Sequence, residues 1–154
     1  MRRTTTLMLT GALLVVLAAG TAAAQTVAIV DCNLGGPCVG TPGNDQITGS
    51  DERDEIRARA GDDEARARGG GDLVYGASGA DLIYGGGGTD EIRGGPGRDN
   101  LYGGPGRDTV LGGWGDDYVN TADGRRDFVD CGPGADSFTV DPVDVVRNCE
   151  YPAL

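Results

Sequence analysis

A repeat of nine residues fills the centre of this sequence and sets narrow limits on its fold. Five copies follow one another without a gap over residues 76–120: GASGADLIY, GGGGTDEIR, GGPGRDNLY, GGPGRDTVL and GGWGDDYVN. Glycine always holds the fourth place, aspartate the sixth and an aliphatic residue the eighth. So short a period indicates stacked units, because one copy cannot bury its aliphatic side chain without neighbours.

Each copy combines a short strand with a tight reversal of the chain. Asn100, Leu101 and Tyr102 alternate in polarity, as in a strand that turns Leu101 inward. The preceding residues, GGPGRD, contain the glycines and the proline that a tight turn needs. Two copies of nine residues therefore form one coil of eighteen, and every second copy should stack at the strand spacing of about 4.8 Å.

The same period continues towards the N-terminus with fewer glycines. Counting back in nines from Asp81 leads to an aspartate each time, namely Asp72, Asp63, Asp54 and Asp45. A charged helix is the alternative for residues 51–68, because their Ala, Arg and acidic residues favour one. Because the period holds through this segment and Gly61 interrupts it, we expect the repeat to continue.

Stacking places the sixth-place aspartates in two ladders. One contains Asp45, Asp63, Asp81, Asp99 and Asp117, and the other contains Asp54, Asp72, Asp90 and Asp108. Carboxylates about 5 Å apart repel by roughly 0.8 kcal/mol per pair even in water, so a ladder calls for cations. Ca²⁺ fits best, since it accepts about six to eight oxygens in flexible geometry, whereas Mg²⁺ requires a strict octahedron. If aspartate served only as a turn former, Asn and Ser should be mixed with it.

The pattern GGxGxDxU, in which U is a large apolar residue, resembles the haemolysin-type (repeats-in-toxin) calcium-binding nonapeptide over residues 40–120. The resemblance implies an all-β fold, a right-handed parallel β-roll (solenoid), with calcium held between one turn and the turn two copies further on. The residues that match the pattern as candidate calcium ligands are Asp45, Asp63, Asp72, Asp81, Asp90, Asp99, Asp108 and Asp117, with the turn glycines Gly76, Gly85, Gly94, Gly103 and Gly112.

The copies at 49–75 depart from this pattern. They lack several of its glycines and carry Arg53, Arg59 and Arg68 near their turns. Because of these departures, the calcium sites of these copies are weaker candidates than those at 76–120.

Residues 1–24 have the features of a secretory signal peptide. A basic start at Arg2 and Arg3 is followed by the apolar stretch 7–19 and by the small-residue cleavage motif Ala22–Ala24. A membrane anchor is the alternative, but the apolar stretch is shorter than the roughly 20 residues that a span needs. We therefore expect a secreted, extracellular protein.

An exported chain can form disulfides from its four cysteines. Cys32 and Cys38 precede the repeats, whereas Cys131 and Cys149 follow them. Of the possible pairings we expect the local one, which bonds Cys32 to Cys38 and Cys131 to Cys149. A zinc site made of all four thiolates is the alternative, and the lack of CxxC spacing disfavours it.

After Asn120 the period slips by one residue. Asp127 and Asp136 are nine residues apart, and an aromatic residue follows each closely, but both are one residue out of the earlier series. A stack needs an atypical last unit that covers its final apolar layer, so we expect the tail to be a disulfide-pinned cap. The expected regions are the leader 1–24, an N-terminal segment 25–39, the roll 40–120 and the cap 121–154.

The charge and the missing residue types narrow the function. A formal net charge of −11 disfavours nucleic acids and anionic membranes as partners and favours cations. The chain has no histidine and no lysine, which excludes Ser–His and Cys–His nucleophiles, His-ligated zinc and lysine-containing phosphate loops. We therefore expect a calcium-binding protein that is not an enzyme and that folds when Ca²⁺ binds.

The alternative function is an extracellular adhesin or carbohydrate-binding module that contacts a glycan or a cell surface. The ninth place of each copy faces outward, so Tyr84 and Tyr102 should be neighbours on one sheet. Arg57, Tyr75 and Arg93 should align on the other sheet, close enough for cation–π contact. Aromatic stripes can bind sugars, but exposed cross-strand pairs more often stabilise a sheet.

Overall fold

The structure is a computed structural model, and it describes residues 5–9, 12–16, 27–32 and 38–150. These residues form eighteen β-strands and no α-helix. In chain order the strands are β1 (Thr5–Leu9), β2 (Ala12–Val16), β3 (Ala28–Asp31), β4 (Cys38–Val39), β5 (Asp45–Thr48), β6 (Glu55–Ala60), β7 (Glu64–Arg66), β8 (Gly69–Gly70), β9 (Leu73–Ser78), β10 (Leu82–Tyr84), β11 (Gly87–Gly88), β12 (Glu91–Pro96), β13 (Asn100–Tyr102), β14 (Thr109–Trp114), β15 (Tyr118–Asn120), β16 (Phe128–Asp130), β17 (Ser137–Thr139) and β18 (Val145–Arg147). The described part of the chain contains no apolar helix of membrane-spanning length.

The strands form two large sheets. The first has nine strands in the order β1-β2-β3-β5-β7-β10-β13-β15-β17, and the second has seven in the order β18-β16-β14-β12-β9-β6-β4. Strands β8 and β11 pair with each other as a separate short ladder. From β3 onward the chain alternates between the two large sheets and adds one strand to each in every coil. This arrangement is a parallel β-solenoid, as the sequence predicts.

The register of the stack is eighteen residues over the regular copies, which is twice the sequence period. Strand β10 pairs in parallel with β13, and Ile83 lies opposite Leu101. In the other sheet β12 pairs in parallel with β14, and Ile92 lies opposite Val110. The eighth-place side chains of successive coils therefore lie directly over one another.

These eighth-place side chains form the core between the sheets. Each is at most 1% exposed: Ile47, Ile56, Ala65, Val74, Ile83, Ile92, Leu101, Val110, Val119 and Val129. Burying an aliphatic side chain of this size stabilises a fold by roughly 1.5–3 kcal/mol, and each coil contributes only two of them. The core is thus a thin column, and most other buried positions are glycine or aspartate.

The segment 51–68 belongs to this column, and the helical alternative is wrong. Within it, β6 alternates in burial, with Ile56 and Ala58 turned inward and Glu55 and Arg57 exposed. The ion pair between Arg57 and Glu55 joins residues two apart on the outer face of the strand. Glu55 and Arg57 therefore form the exposed face of a strand.

Both sheets continue beyond Asn120. Residues 121–130 form a copy with one additional residue, which shifts the register of the stack from eighteen to nineteen at this level. Val129 lies opposite Val110, and Val146 of β18 lies opposite Val129. Phe138 and Val146 pack, partly buried, against the end of the core. The tail thus adds further strands to the roll as well as covering its last apolar layer.

Two disulfides stand near the ends of the roll. Cys32 is bonded to Cys38 and Cys131 to Cys149, which confirms the local pairing and rules out the four-thiolate zinc site. Cys38 and Cys131 are buried and belong to the core.

The outer faces carry the predicted rows of side chains. The rings of Tyr84 and Tyr102 stack with their centroids 4.9 Å apart and their planes 14° apart. On the other sheet, the guanidinium carbons of Arg57 and Arg93 lie 6.0 and 5.5 Å from the centroid of the Tyr75 ring. Both sets of neighbours are confirmed.

Within the predicted leader, β1 and β2 form an antiparallel hairpin, and β2 pairs with β3. The expected cleavage motif at Ala22–Ala24 lies outside the described residues. The signal peptide stays a prediction.

Candidate metal centre

The sixth-place aspartates form the two predicted ladders. Each ladder runs along the starts of the strands of one large sheet. Eight of them are at most 3% exposed, namely Asp45, Asp63, Asp72, Asp81, Asp90, Asp99, Asp108 and Asp117. Except at Asp45, Oδ1 of each carboxylate accepts a hydrogen bond from the main-chain N–H of the ladder aspartate one coil earlier. For example, the N–H of Asp81 donates to Oδ1 of Asp99 at 2.9 Å, and the N–H of Asp99 donates to Oδ1 of Asp117 at 2.8 Å. This oxygen has the turn-stabilising role that aspartate often plays.

The second carboxylate oxygen of most ladder residues has no such partner. No hydrogen-bond donor among the described residues reaches Oδ2 of Asp63, Asp72, Asp81, Asp90, Asp99, Asp108, Asp117, Asp127 or Asp136. Leaving one buried polar group without a partner costs roughly 1–3 kcal/mol, and more for a charged group. Native proteins therefore satisfy nearly all of them. Nine such oxygens indicate a partner that the described residues do not supply.

The first-place glycines leave room beside these oxygens. A Cβ atom at Gly94 would lie 2.3 Å from Oδ2 of Asp99 and 2.6 Å from the carbonyl oxygen of Gly112. A Cβ atom at Gly76 would lie 2.4 Å from Oδ2 of Asp81 and 2.7 Å from the carbonyl oxygen of Gly94. At each of these positions the carboxylate oxygen and a carbonyl oxygen of the next coil therefore converge on space that any side chain would fill.

Gly85, Gly103 and Gly112 occupy the same place in their copies. A Cβ atom there would lie 2.8, 2.7 and 2.7 Å from Oδ2 of the aspartate five residues later. All five candidate glycines thus lie beside the aspartates of their own copies.

The fourth-place glycines bring successive turns into close contact. A Cβ atom at Gly97 would lie 1.7 Å from the carbonyl oxygen of Gly79, and one at Gly88 would lie 1.5 Å from the carbonyl oxygen of Gly70. No other residue type could occupy these positions in this backbone. Turn carbonyl oxygens are thereby directed along the stack.

The donor set at each level consists of hard oxygen atoms. Within the described residues, no group of three or more His, Cys, Asp or Glu side chains converges on one point. Main-chain carbonyl oxygens must therefore supply most of the ligands for a bound metal ion, with one or two aspartates from the ladder. Calcium accepts such mixed carboxylate and carbonyl sets, whereas zinc prefers nitrogen and sulfur.

Burial makes negative charge unfavourable on these aspartates. Loss of hydration raises the pKa of Asp99 and Asp108 to about 7, although a main-chain hydrogen bond partly opposes the shift. The same cause raises the pKa of Asp81 and Asp117 to about 6. Neighbouring carboxylates of the ladder add to the increase for Asp99. A cation bound at these oxygens would offset the energetic cost of their buried negative charge.

Asp127 and Asp136 also belong to the ladders, although they lie outside the nine-residue series of the other aspartates. Asp127 and Asp136 are 2% and 5% exposed, and their Oδ1 atoms accept hydrogen bonds from the N–H groups of Asp108 at 2.7 Å and Asp117 at 2.9 Å. The one-residue slip after Asn120 puts them out of phase with the earlier aspartates. Their own spacing of nine was the signal that could have identified them.

The first two copies differ from the rest. Both oxygens of Asp45 accept hydrogen bonds from within the chain, because Thr41 donates to them. Ser50 likewise donates to Oδ2 of Asp54. The structure thus places Asp45 in its predicted ladder, but both of its oxygens already have donors.

The arginine-containing turns keep the backbone of the glycine turns. Arg59 and Arg68 stand in the second place of their copies with φ values of 90° and 81°, and Ala77 has 78°. The glycines in the same place have similar values, such as 120° at Gly95. These turns therefore have the regular shape, although residues with a Cβ atom adopt it at a cost in energy.

Two surface grooves lie beside residues of the second ladder. A groove of about 390 Å³ is lined by Asp108 and Asp127 together with Arg107 and Arg126. A second groove, of about 450 Å³, is lined by Asp72 and Asp90 among other residues. The grooves bring solvent next to the ladder, although the Oδ2 atoms themselves are buried.

The sequence comparisons point to one family. The model of the RTX calcium-binding nonapeptide repeat, which contains four copies of the repeat, matches residues 39–73, 66–101 and 93–127. Together the matches span residues 39–127, which is more than half of the 154 residues. No curated protein matches the chain. The matched region contains the turn glycines and all of the regular sixth-place aspartates, and the chain therefore belongs to the RTX calcium-binding nonapeptide repeat family.

Proposed function

We propose that this protein binds calcium ions along its aspartate ladders and that the bound ions stabilise the roll. The observation that carries the proposal is the set of nine buried Oδ2 atoms that lack a hydrogen-bond donor among the described residues. A divalent cation supplies the positive charge and the coordination that these oxygens need. Because the ladder charges are unfavourable without it, binding of the ion contributes directly to folding.

The strongest candidate ligands lie where the copies are most regular. They are Asp81, Asp90, Asp99, Asp108 and Asp117, each of which has a glycine in the first place of its copy. Asp127 and Asp136 extend the two ladders by one level each.

Asp63 and Asp72 are weaker candidates. Their Oδ2 atoms also lack a donor among the described residues. However, Ala58 and Ala67 stand where the regular copies have their first-place glycine. Their methyl groups reduce the space beside the carboxylate, so we expect weaker calcium binding at these two levels.

Calcium binding of this kind suits an exported protein. Calcium-binding modules outside the cell typically have dissociation constants of about 10⁻⁴–10⁻³ M. The predicted leader 1–24 and the two disulfides favour an oxidising compartment. Cleavage after Ala24 would remove β1 and β2 and leave β3 as the edge strand of the first sheet.

The aromatic rows favour a structural role for the outer faces. One face of Tyr84 stacks on Tyr102, and the guanidinium of Arg66 lies 5.6 Å from the Tyr84 centroid. Flat ring faces that bind sugars must be open to solvent, and these contacts cover them. The stacked tyrosines therefore give the glycan-binding alternative no separate support. We propose a calcium-binding structural protein.

Calcium binding can be tested by isothermal titration of the disulfide-intact chain and of Asp99→Asn. Asparagine retains Oδ1 as an acceptor for the N–H of Asp81, but it replaces the unpartnered oxygen with an amide nitrogen. We expect fewer bound calcium ions and at least about tenfold weaker binding of those that remain next to position 99. Asp51→Asn is the matched control, because Asp51 is exposed and lies outside the ladders.

Calcium uptake that is the same in Asp99→Asn as in the unaltered chain would rule out the ladder as the binding site. Loss of binding in Asp51→Asn to the same extent would show a general effect of net charge instead.

A further inference from the structure

We propose that Thr41 and Ser50 take the place of calcium at the first two turns, so that this end of the roll is closed without metal. The inference rests on the proposed calcium function, because it assigns which turns of the roll do not need the ion. It concerns the copies at 40–48 and 49–57.

Thr41 satisfies the carboxylate of Asp45. Its main-chain N–H donates to Oδ2 at 2.5 Å, and its hydroxyl donates to Oδ1 at 2.9 Å and lies 3.2 Å from Oδ2. The N–H of Thr41 and its hydroxyl thus occupy the positions around this carboxylate that a cation would need. The hydroxyl also accepts a hydrogen bond from the N–H of Gly43 at 3.2 Å, which completes the turn.

Ser50 repeats the arrangement one copy later. Its N–H donates to Oδ2 of Asp54 at 2.6 Å, and its hydroxyl donates to the same oxygen at 2.9 Å. The hydroxyl accepts from the N–H of Glu52 at 3.2 Å. The same four-residue spacing between hydroxyl residue and aspartate therefore gives the same N–H bond to Oδ2 in both copies, and in each copy the hydroxyl also donates to the carboxylate.

The main chain differs in the same two places. In the seven copies from 58 to 120 the second-place residue has a positive φ, namely Arg59, Arg68, Ala77, Gly86, Gly95, Gly104 and Gly113. Thr41 and Ser50 do not have a positive φ. We call the first form the open turn and the second form the closed turn.

The two forms differ in where the second-place N–H points. In the closed turn it donates to the aspartate of its own copy. In the open turns at Gly86 and Gly113 it donates to a carbonyl oxygen of the next coil, at 3.0 and 3.1 Å. Only the open turn therefore leaves Oδ2 of its aspartate for a metal ion.

The second-place residue selects the form of the turn. The first place cannot explain the difference, because Gly40 and Gly49 are glycines like those of the regular open turns. A β-branched threonine is strongly disfavoured at positive φ, and serine and threonine readily bond to groups in their own turn. Hydroxyl residues in the second place thus give closed turns, whereas Gly, Ala and Arg there give open ones.

The closed turns predict which part of the chain stays folded without metal. In chelator, residues 40–57 should keep slow amide exchange, because Asp45 and Asp54 need no cation. Strand β4, which pairs with β6, and the disulfide between Cys32 and Cys38 hold the same end of the roll. Residues 76–120, whose turns are open, should exchange rapidly in chelator and slowly in calcium.

Hydrogen exchange with mass spectrometry on the disulfide-intact full chain tests the proposal. The variant Thr41→Gly combined with Ser50→Gly removes both hydroxyls and permits the open turn. We expect exchange in residues 40–57 to become about tenfold faster or more in chelator, because hydrogen bonds to charged groups are lost. Thr41→Ser combined with Ser50→Thr keeps the hydroxyls and should retain the protection. Ser78→Gly, an exposed third-place change, is the control for added glycine.

The possible outcomes distinguish failure of the closed-turn proposal from failure of the proposed calcium function. Rapid exchange of residues 40–57 in the unaltered chain in chelator would overturn the closed-turn proposal, even if calcium protects residues 76–120. Equal protection in the glycine variant and the unaltered chain would overturn it as well. If calcium changes exchange nowhere, the calcium function fails, and the glycine variant alone then decides whether the hydroxyls close the first two turns.

Discussion

At the scale of single residues, the two oxygens of each ladder aspartate have different partners. Oδ1 of Asp99 accepts the N–H of Asp81, which fixes the distance between two coils. Oδ2 of the same residue lies beside Gly94 and meets no donor within the described residues. One side chain thus both sets the register of the stack and offers a ligand atom. Replacing it with serine or asparagine in the sixth place would keep at most the first of these roles.

The arginine turns show a residue-scale conflict. Arg68 has a φ of 81°, in the left-handed region that costs a residue with a Cβ atom roughly 1–2 kcal/mol. Its position in the copy is that of Gly86 and Gly95, which adopt the same region without strain.

We therefore expect Arg68→Gly to stabilise the calcium-loaded protein. The free energy of unfolding in urea should rise by about 1 kcal/mol, because relief of the strained φ exceeds the entropy that the added glycine gives the unfolded chain. Arg98→Gly is the control, since Arg98 is exposed and does not have a positive φ. An Arg68→Gly protein that unfolds at the same or lower urea concentration than Arg98→Gly would contradict this reading of the turn.

At the scale of elements, burial raises the pKa of several carboxyls along the ladders. Burial raises the pKa of Asp63, Asp99 and Asp108 to about 7 from an ordinary value of 3.8. The folded, metal-free chain therefore retains protons on these carboxyls at pH values where the unfolded chain has lost them. Protonation of these carboxyls therefore contributes to the free energy of unfolding. This contribution is fully present below about pH 4, the ordinary pKa, and is lost as pH rises through the folded-state pKa values of about 6 to 7.

Acidification should therefore stabilise the metal-free roll. In protein stripped of calcium, the β signal in circular dichroism should be largest at about pH 5 and should fall as pH rises to about 8. Saturating calcium should remove or reverse this trend, because the ion replaces the protons on the same oxygens. A β signal of the stripped protein that stays the same or grows over this range would mean that the ladder carboxylates are not buried as described.

Some structural elements can be predicted from the sequence alone, and others cannot. The period of nine suffices for the three-residue strands, the two ladders and the contact of Tyr84 with Tyr102, because these follow from stacking alone. It does not reveal the closed turns at Thr41 and Ser50. Hydroxyl residues are ordinary in turns, and only the folded structure shows that their donors reach the oxygens of the aspartate four residues later.

The one-residue slip hid part of the candidate site in a similar way. The additional residue of the copy 121–130 is accommodated in a turn, where Gly124 has a φ of 83° and open space around it. The strands beyond it resume their positions, so Asp127 and Asp136 return to the ladders. A strict count in nines misses them, because it does not allow for a turn that absorbs one residue.

At the scale of the whole molecule, the roll is a one-dimensional stack. Each coil contacts only the coils before and after it, and it buries about two small aliphatic side chains. So thin a core offsets little of the conformational entropy that folding removes. The disulfides bind the ends, at Cys32–Cys38 and Cys131–Cys149, and leave the centre of the stack without a covalent tie. Stability at the centre must come from the ladders and the ions that they bind.

The direct test of this account is the folding of the disulfide-intact chain at pH 7.5 in chelator and in millimolar CaCl₂. In calcium we expect the far-ultraviolet circular dichroism of a β-protein and a single cooperative melting transition. In chelator most of the β signal and the cooperative transition should be absent, and MgCl₂ at the same concentration should restore much less of them. The same spectrum and melting temperature in chelator and in calcium would contradict the claim that the ladder aspartates need calcium.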